Sequence, residues 1–266
     1  MISSDAAETF PQRPLERIYL MSSTTPTRVS LVTGGSGGIG HETATRLAAD
    51  GHAVAILYLS NQAEADAAVG AITDAGGTAL AVQADVAEEE AVADAFAQVE
   101  EAFGGVDVVV NAAGIMPLSP IAELDMAVLD RIYRSNIRGT FVVSQQAARR
   151  VRDGGALINF SSSVTRLQIP SYGAYAASKG AVEAMTLILA REMRGRDVTV
   201  NAVAPGPTAT DLFFEGKDQE VIDRIANQPP LARLGTPQDI AEVISLLAGS
   251  GRWINGQVIY VNGGIA

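Results

Sequence analysis

The sequence predicts an α/β fold in which a doubly wound, seven-stranded parallel sheet carries helices on both faces. From residue 28 onward, short apolar runs rich in β-branched residues alternate with longer Ala-rich amphipathic segments. Continuous apolar runs, rather than runs of alternating polarity, indicate strands that are buried on both faces of a sheet. No internal repeat or linker divides this part of the chain, so residues 28–266 are predicted to form one domain.

Strands and helices are predicted to alternate along this domain. The apolar runs predict seven strands: Val29–Val32, Ala53–Leu59, Ala79–Gln83, Val106–Asn111, Ala156–Phe160, Val198–Ala204 and Val258–Val261. The amphipathic segments predict helices between them: Glu42–Ala49, Ala63–Ala75, Glu88–Phe103, Val128–Arg152, Tyr175–Arg194 and Pro237–Leu247. Crossovers between parallel strands are expected to be right-handed. Ligands of such sheets bind outside the carboxyl ends of the strands, so the functional site is predicted there.

The turn after the first strand is rich in glycine. Thr33-Gly34-Gly35-Ser36-Gly37-Gly38-Ile39-Gly40 lies between an apolar run and a helical segment. Glycines permit a tight turn that brings backbone N–H groups close to a diphosphate, and a helix N-terminus favours negative charge. The spacing of Gly34, Gly38 and Gly40 differs from the common Gly-x-Gly-x-x-Gly fingerprint, and a turn without a ligand is the alternative. The strand–turn–helix context favours a dinucleotide site formed by Gly34, Ser36, Gly37, Gly38, Ile39 and Gly40.

A tyrosine and a lysine, Tyr175 and Lys179, are spaced so that they share one face of a helix. A nearby ammonium favours the ionised phenol, so Lys179 is expected to lower the pKa of Tyr175. A phenol tuned in this way can exchange a proton with the oxygen of an alcohol or a carbonyl compound. Such pairs also occur by chance on helix surfaces, so their meaning depends on the surrounding motifs.

Taken in order, the motifs resemble those of the single-domain short-chain dehydrogenase/reductase family. The resemblance covers residues 28–266 and rests on Thr33-Gly34-x-x-x-Gly38-x-Gly40, Asp85-Val86, Asn111-Ala112-Ala113-Gly114, Asn136, Ser162, Tyr175-x-x-x-Lys179 and Pro205-Gly206. Within the family, the chain is most similar in character to 3-oxoacyl-carrier-protein reductases and glucose dehydrogenases. The resemblance implies a Rossmann-type fold, a nicotinamide cofactor and a catalytic domain at residues 28–266.

The resemblance also implies a catalytic set of Asn136, Ser162, Tyr175 and Lys179. Ser162 lies 13 residues before Tyr175, and this interval selects it over its two serine neighbours. Its hydroxyl would hold the substrate oxygen while Tyr175 gives or takes the proton. Lys179 would bind the nicotinamide ribose and lower the tyrosine pKa. Asn136 would hold a water that links Lys179 to solvent, and support of a helix kink is its alternative role.

The choice between NADP(H) and NAD(H) depends on the end of the second strand, where many NAD-binding proteins place an acidic residue. Tyr58 occupies that position, and the first acid after it is Glu64. Without a carboxylate to repel a 2′-phosphate, NADP(H) is favoured, and NAD(H) is the alternative. The basic residues that often bind this phosphate are also missing, so Ser36, Ser60 and Asn61 are expected to bind it as neutral donors.

The resemblance implies the remaining cofactor contacts. Asp85 and Val86, at the end of the third strand, would contact the adenine, and a strand-end turn is the alternative. Small residues after the fourth strand would let the backbone lie beside the cofactor, although Asn111 could equally brace the sheet; this group is Asn111, Ala112, Ala113 and Gly114. After the sixth strand, the Thr208 backbone and the Thr210 hydroxyl would fix the nicotinamide carboxamide, in the segment that begins with Pro205 and Gly206.

The composition argues against several other classes of protein. A net charge of −11 disfavours a nucleic-acid surface, which needs clustered Lys and Arg. The chain has no cysteine and only two histidines, His41 and His52, so disulfides, thiolate sites and a histidine-rich metal site are excluded, and no metal is expected. His41 is interpreted as a surface residue at a helix start. No apolar run is long enough to cross a membrane, and no membrane partner is expected.

Residues 1–27 differ from the rest of the chain, with Pro11, Pro14, Pro26 and many Ser and Thr residues. We expect a flexible extension. It lacks the charged start and apolar core of a secretory signal, so a cytoplasmic location is expected. Because Met21 lies about where chains of the resembled family start, it is an alternative initiator to Met1. An extension that reaches a neighbouring subunit is a further alternative.

The segment Asp211–Pro237 is expected to form a lid over the substrate, with apolar walls from Leu212-Phe213-Phe214 and hinges at Gly216 and Gly235. An ordinary surface helix is the alternative. Further pocket residues are expected after the fifth strand, where Arg166 could pair with an anion: Val164, Arg166, Leu167, Ile169 and Tyr172. Together these side chains indicate a mainly apolar substrate.

The sequence therefore predicts an oxidoreductase that transfers a hydride between NADP(H) and a ketone or secondary alcohol, with carbonyl reduction as the favoured direction. An NAD-dependent alcohol dehydrogenase and a non-catalytic dinucleotide-binding sensor are the alternatives, and the complete catalytic set argues against the sensor. A homotetramer, or failing that a dimer, is expected. Its contacts would involve the C-terminal segment Gly256–Gly264 and an apolar patch on the predicted helices Val128–Arg152 and Tyr175–Arg194.

Overall fold

The computed structural model describes residues 28–266, so the predicted N-terminal extension at 1–27 lies outside the described residues. Within the described range, one sheet has the strand order β3-β2-β1-β4-β5-β6-β7, and every neighbouring pair is parallel. The strands are β1 (Val29–Thr33), β2 (Ala53–Tyr58), β3 (Thr78–Gln83), β4 (Val106–Asn111), β5 (Val151–Phe160), β6 (Thr199–Pro205) and β7 (Val258–Val261). The order reverses between β1 and β4, which confirms the predicted doubly wound fold.

Helices connect the strands along residues 28–266. They are α1 (Gly38–Ala49), α2 (Gln62–Asp74), α3 (Glu89–Phe103), α4 (Met126–Ile132), α5 (Gly139–Arg150), α6 (Val164–Leu167), α7 (Gly173–Glu192), α8 (Asp211–Phe214), α9 (Gln219–Ala226) and α10 (Pro237–Ala248). None of these helices combines the length and hydropathy that a membrane span requires.

Two hydrophobic cores lie on opposite faces of the sheet. One contains buried residues of α3, α5 and α7, and the other contains buried residues of α1, α2 and α10. Consecutive strand residues alternate between them: Leu31 packs into the first core and Val32 into the second. Full burial of such a side chain contributes roughly 1.5–3 kcal/mol to folding. The continuous apolar strands in the sequence reflect this burial on both faces.

The predicted helix Val128–Arg152 is wrong as a single element. The chain forms α4, then a π-helical turn at Tyr133–Arg138, then α5, and β5 already begins at Val151. The π-helical turn lets Gly139 approach Val86 closely, since a Cβ on Gly139 would lie 2.7 Å from Val86 Cγ2. A π-bulge has no hydrophobic period of its own, so the sequence pattern did not reveal it.

The start of β5 was also predicted wrongly, at Ala156 instead of Val151. A shift in register between β4 and β5 follows Val106, which pairs with Val151. Gly154 has a φ of +82° in this irregular stretch, and a Cβ on Gly155 would lie 2.5 Å from the Asp107 carbonyl oxygen. The two glycines and their charged neighbours interrupt the apolar run, although the backbone continues as a strand. Most other predicted boundaries differ by one or two residues.

Candidate active site

A cavity of about 820 Å³ opens at the carboxyl edge of the sheet. Segments that follow β1, β4, β5 and β6 line it, together with α7 and the segment that contains α8 and α9. This is the edge predicted from the parallel strand order. The glycine-rich turn and the Ser162, Tyr175 and Lys179 side chains, far apart in sequence, all reach this one cavity.

The backbone of the glycine-rich turn requires glycine at two positions. Gly34 has a φ of +65°, and a Cβ there would lie 3.1 Å from the Ala113 Cα atom. At Gly40, a Cβ would lie only 2.2 Å from the Gly34 carbonyl oxygen. Helix α1 begins at Gly38, while Gly37 has open space where a Cβ would be. The turn thus presents open space and helix N–H groups to the cavity, which fits the diphosphate of a dinucleotide.

The predicted cofactor residues divide into two groups. The larger group lines the cavity: Gly34, Gly37, Gly38, Ile39, Gly40, Ala112, Ala113, Gly114, Tyr175, Lys179, Pro205, Gly206, Thr208 and Thr210. The smaller group does not contribute to the cavity wall: Ser36, Tyr58, Ser60, Asn61, Asp85, Val86 and Asn111. Thr210 also caps α8, where its hydroxyl accepts a hydrogen bond from the Phe213 N–H at 3.2 Å.

Asp85 stabilises the turn at the end of β3, and Asn111 braces the sheet; these were the structural alternatives to cofactor contacts. The Asp85 carboxylate accepts hydrogen bonds from the Ala87 N–H at 2.9 Å and from Arg134 at 2.8 Å. Desolvation opposes ionisation, but these two bonds together hold the pKa of Asp85 below its ordinary value. The Asn111 side chain is buried and accepts a hydrogen bond from the Thr33 hydroxyl at 3.0 Å, which braces β4 against β1. Cofactor contacts by either residue stay predictions.

At the end of β2, the predicted phosphate-binding residues lie near the cavity rim. Ser60 and Asn61 are exposed, and Asn61 caps α2 by accepting a hydrogen bond from the Glu64 N–H at 3.3 Å. Glu64 itself lines the cavity. The sequence identified Glu64 only as the first acid after the strand, because its place in the cavity depends on how α2 leaves the sheet.

The pKa of Tyr175 is raised rather than lowered in this structure, so the expected net shift is wrong. Burial raises the pKa of Tyr175 to about 12, and the neighbouring Ser162 hydroxyl opposes part of this shift. Burial lowers the pKa of Lys179 to about 8. The Lys179 Nζ atom donates a hydrogen bond to the Phe160 carbonyl at 2.8 Å and lies 5.7 Å from the centroid of the Tyr175 ring. Desolvation therefore outweighs the interaction between the two groups.

Asn136 supports the π-helical turn. Its side-chain Oδ1 accepts a hydrogen bond from the Ile115 N–H at 2.9 Å. Its Nδ2 donates to the Ile115 carbonyl at 2.9 Å and to the Ser178 hydroxyl at 3.1 Å. Asn136 thus connects the segment after β4 to helix α7, and both of these segments contribute residues to the cavity wall. Support of an irregular helix was the alternative role considered for Asn136. Its binding of a water molecule stays a prediction.

The predicted pocket lining after β5 is correct except at one residue. Val164, Leu167, Ile169 and Tyr172 line the cavity. The Arg166 guanidinium instead lies over the Tyr260 ring, with Cζ 3.9 Å from its centroid. Arg166 does not line the cavity, and its partner Tyr260 is 94 residues further along the chain, where no local pattern indicates the contact. The proposed pairing of Arg166 with an anion is therefore not supported.

The predicted lid contains α8 and α9. Leu212 and Phe213 line the cavity, whereas Phe214 does not. Gly216 has a φ of +71°, but the second predicted hinge, Gly235, is held in a bridge to Thr208. Its N–H donates to the Pro207 carbonyl at 2.8 Å, so Gly235 is anchored in this structure, and its role as a hinge stays a prediction.

Sequence reasoning missed several lining residues, most of them in the lid: Met116, Leu118, Asp211, Lys217, Val221, Arg224, Ile225, Gln228 and Ile265. The helical spacing of positions 221, 224, 225 and 228 was a readable signal for one face of α9. Among residues 28–266, no group of three or more His, Cys, Asp or Glu side chains is arranged to hold a metal ion.

Comparison with known proteins agrees with this geometry. The family model described as Enoyl-(Acyl carrier protein) reductase matches residues 34–266. A short-chain type dehydrogenase/reductase of Picea abies is 44% identical over 248 residues, which cover 89% of this chain and 92% of the relative. An NADPH-dependent aldehyde reductase-like protein, chloroplastic, of Arabidopsis thaliana is 42% identical, with 89% of this chain and 93% of the relative covered.

A solved structure has the same architecture. A short-chain dehydrogenase from Burkholderia cenocepacia J2315, in complex with NADP, is 38% identical and superposes with a TM-score of 0.84. The superposition covers 90% of this chain and 98% of that chain. The family model and both relatives span most of the domain that carries the glycine-rich turn and the Ser162, Tyr175 and Lys179 cluster. This chain belongs to the short-chain dehydrogenase/reductase family.

Proposed function

We propose that the protein is an NADP(H)-dependent carbonyl reductase that converts a ketone or an aldehyde into an alcohol. The observation that carries the proposal is one cavity that holds the glycine-rich turn at one end and Ser162, Tyr175 and Lys179 at the other. The name of the Arabidopsis relative, an NADPH-dependent aldehyde reductase-like protein, supports the same cofactor and substrate class. The NADP complex of the Burkholderia structure also supports the cofactor.

The residues at the turn would hold the cofactor diphosphate, and Thr208 and Thr210 would orient its nicotinamide. When bound, the cofactor supplies the hydride that reaches the carbonyl carbon. The Ser162 hydroxyl donates a hydrogen bond to the carbonyl oxygen and orients it towards Tyr175. Tyr175, whose pKa of about 12 keeps it protonated, gives its proton to that oxygen as the carbon is reduced.

Lys179 has two functions in this proposal. Its ammonium lies against the Tyr175 ring, where it stabilises the phenolate that forms when the proton leaves. It is also close enough to the cavity wall to bind a ribose hydroxyl of the cofactor. Gly114 and Lys179 both line the cavity, and Asn136 packs behind Gly114: a Cβ on Gly114 would lie 3.1 Å from Asn136 Oδ1 and 3.6 Å from Lys179 Nζ.

The substrate is proposed to be mainly apolar. Most side chains at the lid end of the cavity are aliphatic or aromatic: Leu167, Ile169, Tyr172, Leu212, Phe213, Val221 and Ile225. Two cations, Lys217 and Arg224, also reach this end. An apolar carbonyl compound fits the walls, and an acidic group at its far end would meet these cations.

We extend the proposal to a homotetramer. Helix α5 exposes Phe141, and α7 exposes Leu187 and Ile188, which are 52%, 40% and 59% accessible. Large apolar side chains grouped on two helices of one face favour contact with a second copy. A cytoplasmic location stays a prediction.

The test begins with fluorescence titration of the purified protein with NADPH and with NADH. Turnover of the tighter-binding cofactor is then followed at the nicotinamide absorbance band against a panel of aldehydes and ketones, for the wild type and for Tyr175→Phe. We expect the wild type to consume NADPH in the presence of a carbonyl substrate and Tyr175→Phe to have lost this activity. Preference for NADH would favour the alcohol dehydrogenase alternative, which Glu64 in the cavity wall would explain by repelling a 2′-phosphate. Tight binding without turnover of any compound would favour the sensor.

A further inference from the structure

One of the carboxylates on α7, that of Glu183, lies beside the loop that carries Ser162. Its Oε1 atom accepts a hydrogen bond from the Ser161 hydroxyl at 2.6 Å, and the Thr165 hydroxyl oxygen lies 3.0 Å from it. The Tyr260 hydroxyl is 3.4 Å from the same atom. None of the salt bridges formed within residues 28–266 includes Glu183. Three hydroxyl groups from two segments therefore converge on one half-buried carboxylate.

The protons of this cluster can be assigned consistently. The Thr165 hydroxyl is 3.0 Å from the Ser162 carbonyl oxygen and 3.3 Å from the Tyr260 hydroxyl, in addition to its contact with Glu183. Each hydroxyl has one proton to donate. If Thr165 donates to the Ser162 carbonyl, Ser161 donates to Glu183, and Tyr260 donates to Thr165 or to Glu183. In this assignment the carboxylate accepts from Ser161, while Thr165 uses its one proton to hold the Ser162 carbonyl.

The network fixes the backbone on both sides of Ser162. Ser161 is held through its hydroxyl by Glu183, and the Ser162 carbonyl is held by Thr165. Ser163 is held separately, because its hydroxyl donates to the Ala204 carbonyl at 3.2 Å. The Ser162 hydroxyl itself accepts only a long bond of 3.4 Å from the Val164 N–H, and it faces the cavity. The loop is held through Ser161, the Ser162 carbonyl and Ser163, while the Ser162 hydroxyl lies beside Tyr175 in the cavity.

Arg166, the residue that was expected in the pocket, contacts one member of the network. Its guanidinium stacks over the Tyr260 ring, with Cζ 3.9 Å from the ring centroid. This contact restrains Tyr260, whose hydroxyl lies beside Thr165 and Glu183. The stacking of Arg166 thus belongs to the same arrangement.

We propose that Glu183 is a positioning residue for carbonyl reduction, one that acts through Ser162. The carboxylate holds Ser161, the residue before Ser162, so that the Ser162 hydroxyl meets the substrate oxygen at the same point as the Tyr175 phenol. The proposal rests on the catalytic role proposed for Ser162. Alignment of this kind affects rate strongly, because a displacement of about 1 Å in a catalytic group can cost about 100-fold.

The experiment is a double-mutant cycle with NADPH and one aldehyde that the wild type reduces. Glu183→Leu is expected to lower kcat about tenfold or more while the NADPH dissociation constant, measured by fluorescence, stays within about twofold. In the Ser162→Ala background, Glu183→Leu is expected to cause no further loss, because the hydroxyl that it orients is gone. Glu183→Gln keeps an acceptor oxygen and should recover most of kcat. Glu192→Leu, an exposed acid on the same helix, is the matched control and should leave kcat unchanged.

Several results would overturn the proposal. A loss of the same factor in both backgrounds would show that Glu183 serves only the general stability of the fold. An unchanged kcat for Glu183→Leu would show that the loop keeps its geometry without the carboxylate. Wild-type activity in Ser162→Ala would instead remove the role proposed for Ser162. If Glu183→Leu does not fold, as thermal unfolding will show, Ser161→Ala enters the same cycle, with the same expectations.

Discussion

Tyr175 and Lys179 have pKa values that burial moves in opposite directions, up to about 12 for the phenol and down to about 8 for the ammonium. Their i, i+4 spacing suggested that charge attraction would dominate. The lysine is instead bonded to the Phe160 carbonyl and contacts the tyrosine through the ring. Whether a spacing of this kind tunes a pKa therefore depends on desolvation, which the sequence does not display.

The first prediction concerns pH. Lys179 is cationic below its pKa of about 8, so kcat/KM for NADPH should fall as pH rises through about 8 and approach a tenfold loss per pH unit above it. Tyr175 stays protonated over this range and should not contribute. A pH profile of reduction from about pH 6 to about pH 10 measures this. A profile that stays level across the whole range would contradict the role of the Lys179 charge.

The same pKa shift has a consequence for stability. The pKa of Lys179 is lower in the folded chain than its ordinary value of 10.5, so between about pH 8 and 10.5 the unfolded state binds more protons. The contribution of this residue to the free energy of unfolding should therefore rise with pH in that window and be level below it. Denaturation of the wild type and of Lys179→Met at several pH values separates this contribution from the remaining groups.

The second prediction concerns the glycine-rich turn. Gly40→Ala places a Cβ 2.2 Å from the Gly34 carbonyl oxygen, so it should lower the free energy of unfolding by about 1–3 kcal/mol and weaken NADPH binding. Gly70→Ala, in helix α2 with no atom within 4 Å of the new Cβ, should raise stability by about 0.4–1 kcal/mol. Urea denaturation and cofactor titration measure both effects. Equal effects of the two substitutions would mean that the turn tolerates a side chain.

At the scale of elements, the segment between β4 and β5 shows how tertiary contacts override local pattern. Residues 128–152 have the composition of one helix, yet a π-helical turn places Asn136 against Ile115 and Ser178. The hydrogen bonds of Asn136 stabilise a backbone that helical propensity alone does not favour. The site residue was identified from its motif, but the element that positions it was not.

The third prediction concerns the lid helix α9. Arg224 lines the cavity, while Glu220 and Asp223 on the same helix do not, so α9 presents its positive charge to the substrate end. Arg224→Gln should lower kcat/KM for a carboxylate-bearing aromatic aldehyde about 3- to 10-fold and change the value for its uncharged methyl ester far less. Arg191→Gln, an exposed position on α7, is the control. A change in NADPH affinity with no difference between the two aldehydes would assign Arg224 to the cofactor.

At the scale of the whole molecule, exposed apolar side chains on α5 and α7 stand out on a chain with a net charge of −11. Like charges oppose association at long range, so an assembly must bury enough apolar area to overcome that repulsion. Buried residues of both helices belong to the same hydrophobic core, on one face of the sheet. The proposed contact with a second copy would use the exposed side chains of these two helices.

The fourth prediction concerns that surface. Phe141→Glu and Ile188→Glu should each reduce the molar mass in solution from that of a tetramer to that of a dimer or monomer, because each buries an unpaired charge in the interface. Ala71→Glu, an exposed position on α2 at the opposite face, should leave the mass unchanged. Light scattering coupled to gel filtration measures the mass. A wild type that is monomeric at micromolar concentration would contradict the prediction.

The sequence alone determined the fold class, the placement of a site at the carboxyl edge of a parallel sheet, and the identity of the family. Those properties depend on periodicity and on short motifs, such as the glycine-rich turn and Tyr175-x-x-x-Lys179, whose residues are neighbours in the chain. Tertiary structure decided the rest: the order of the strands, the π-helical turn, the directions of the pKa shifts, the position of Arg166 on Tyr260 and the hydroxyl groups around Glu183. Each of these depends on burial or on contacts between segments far apart in sequence, which no local pattern records.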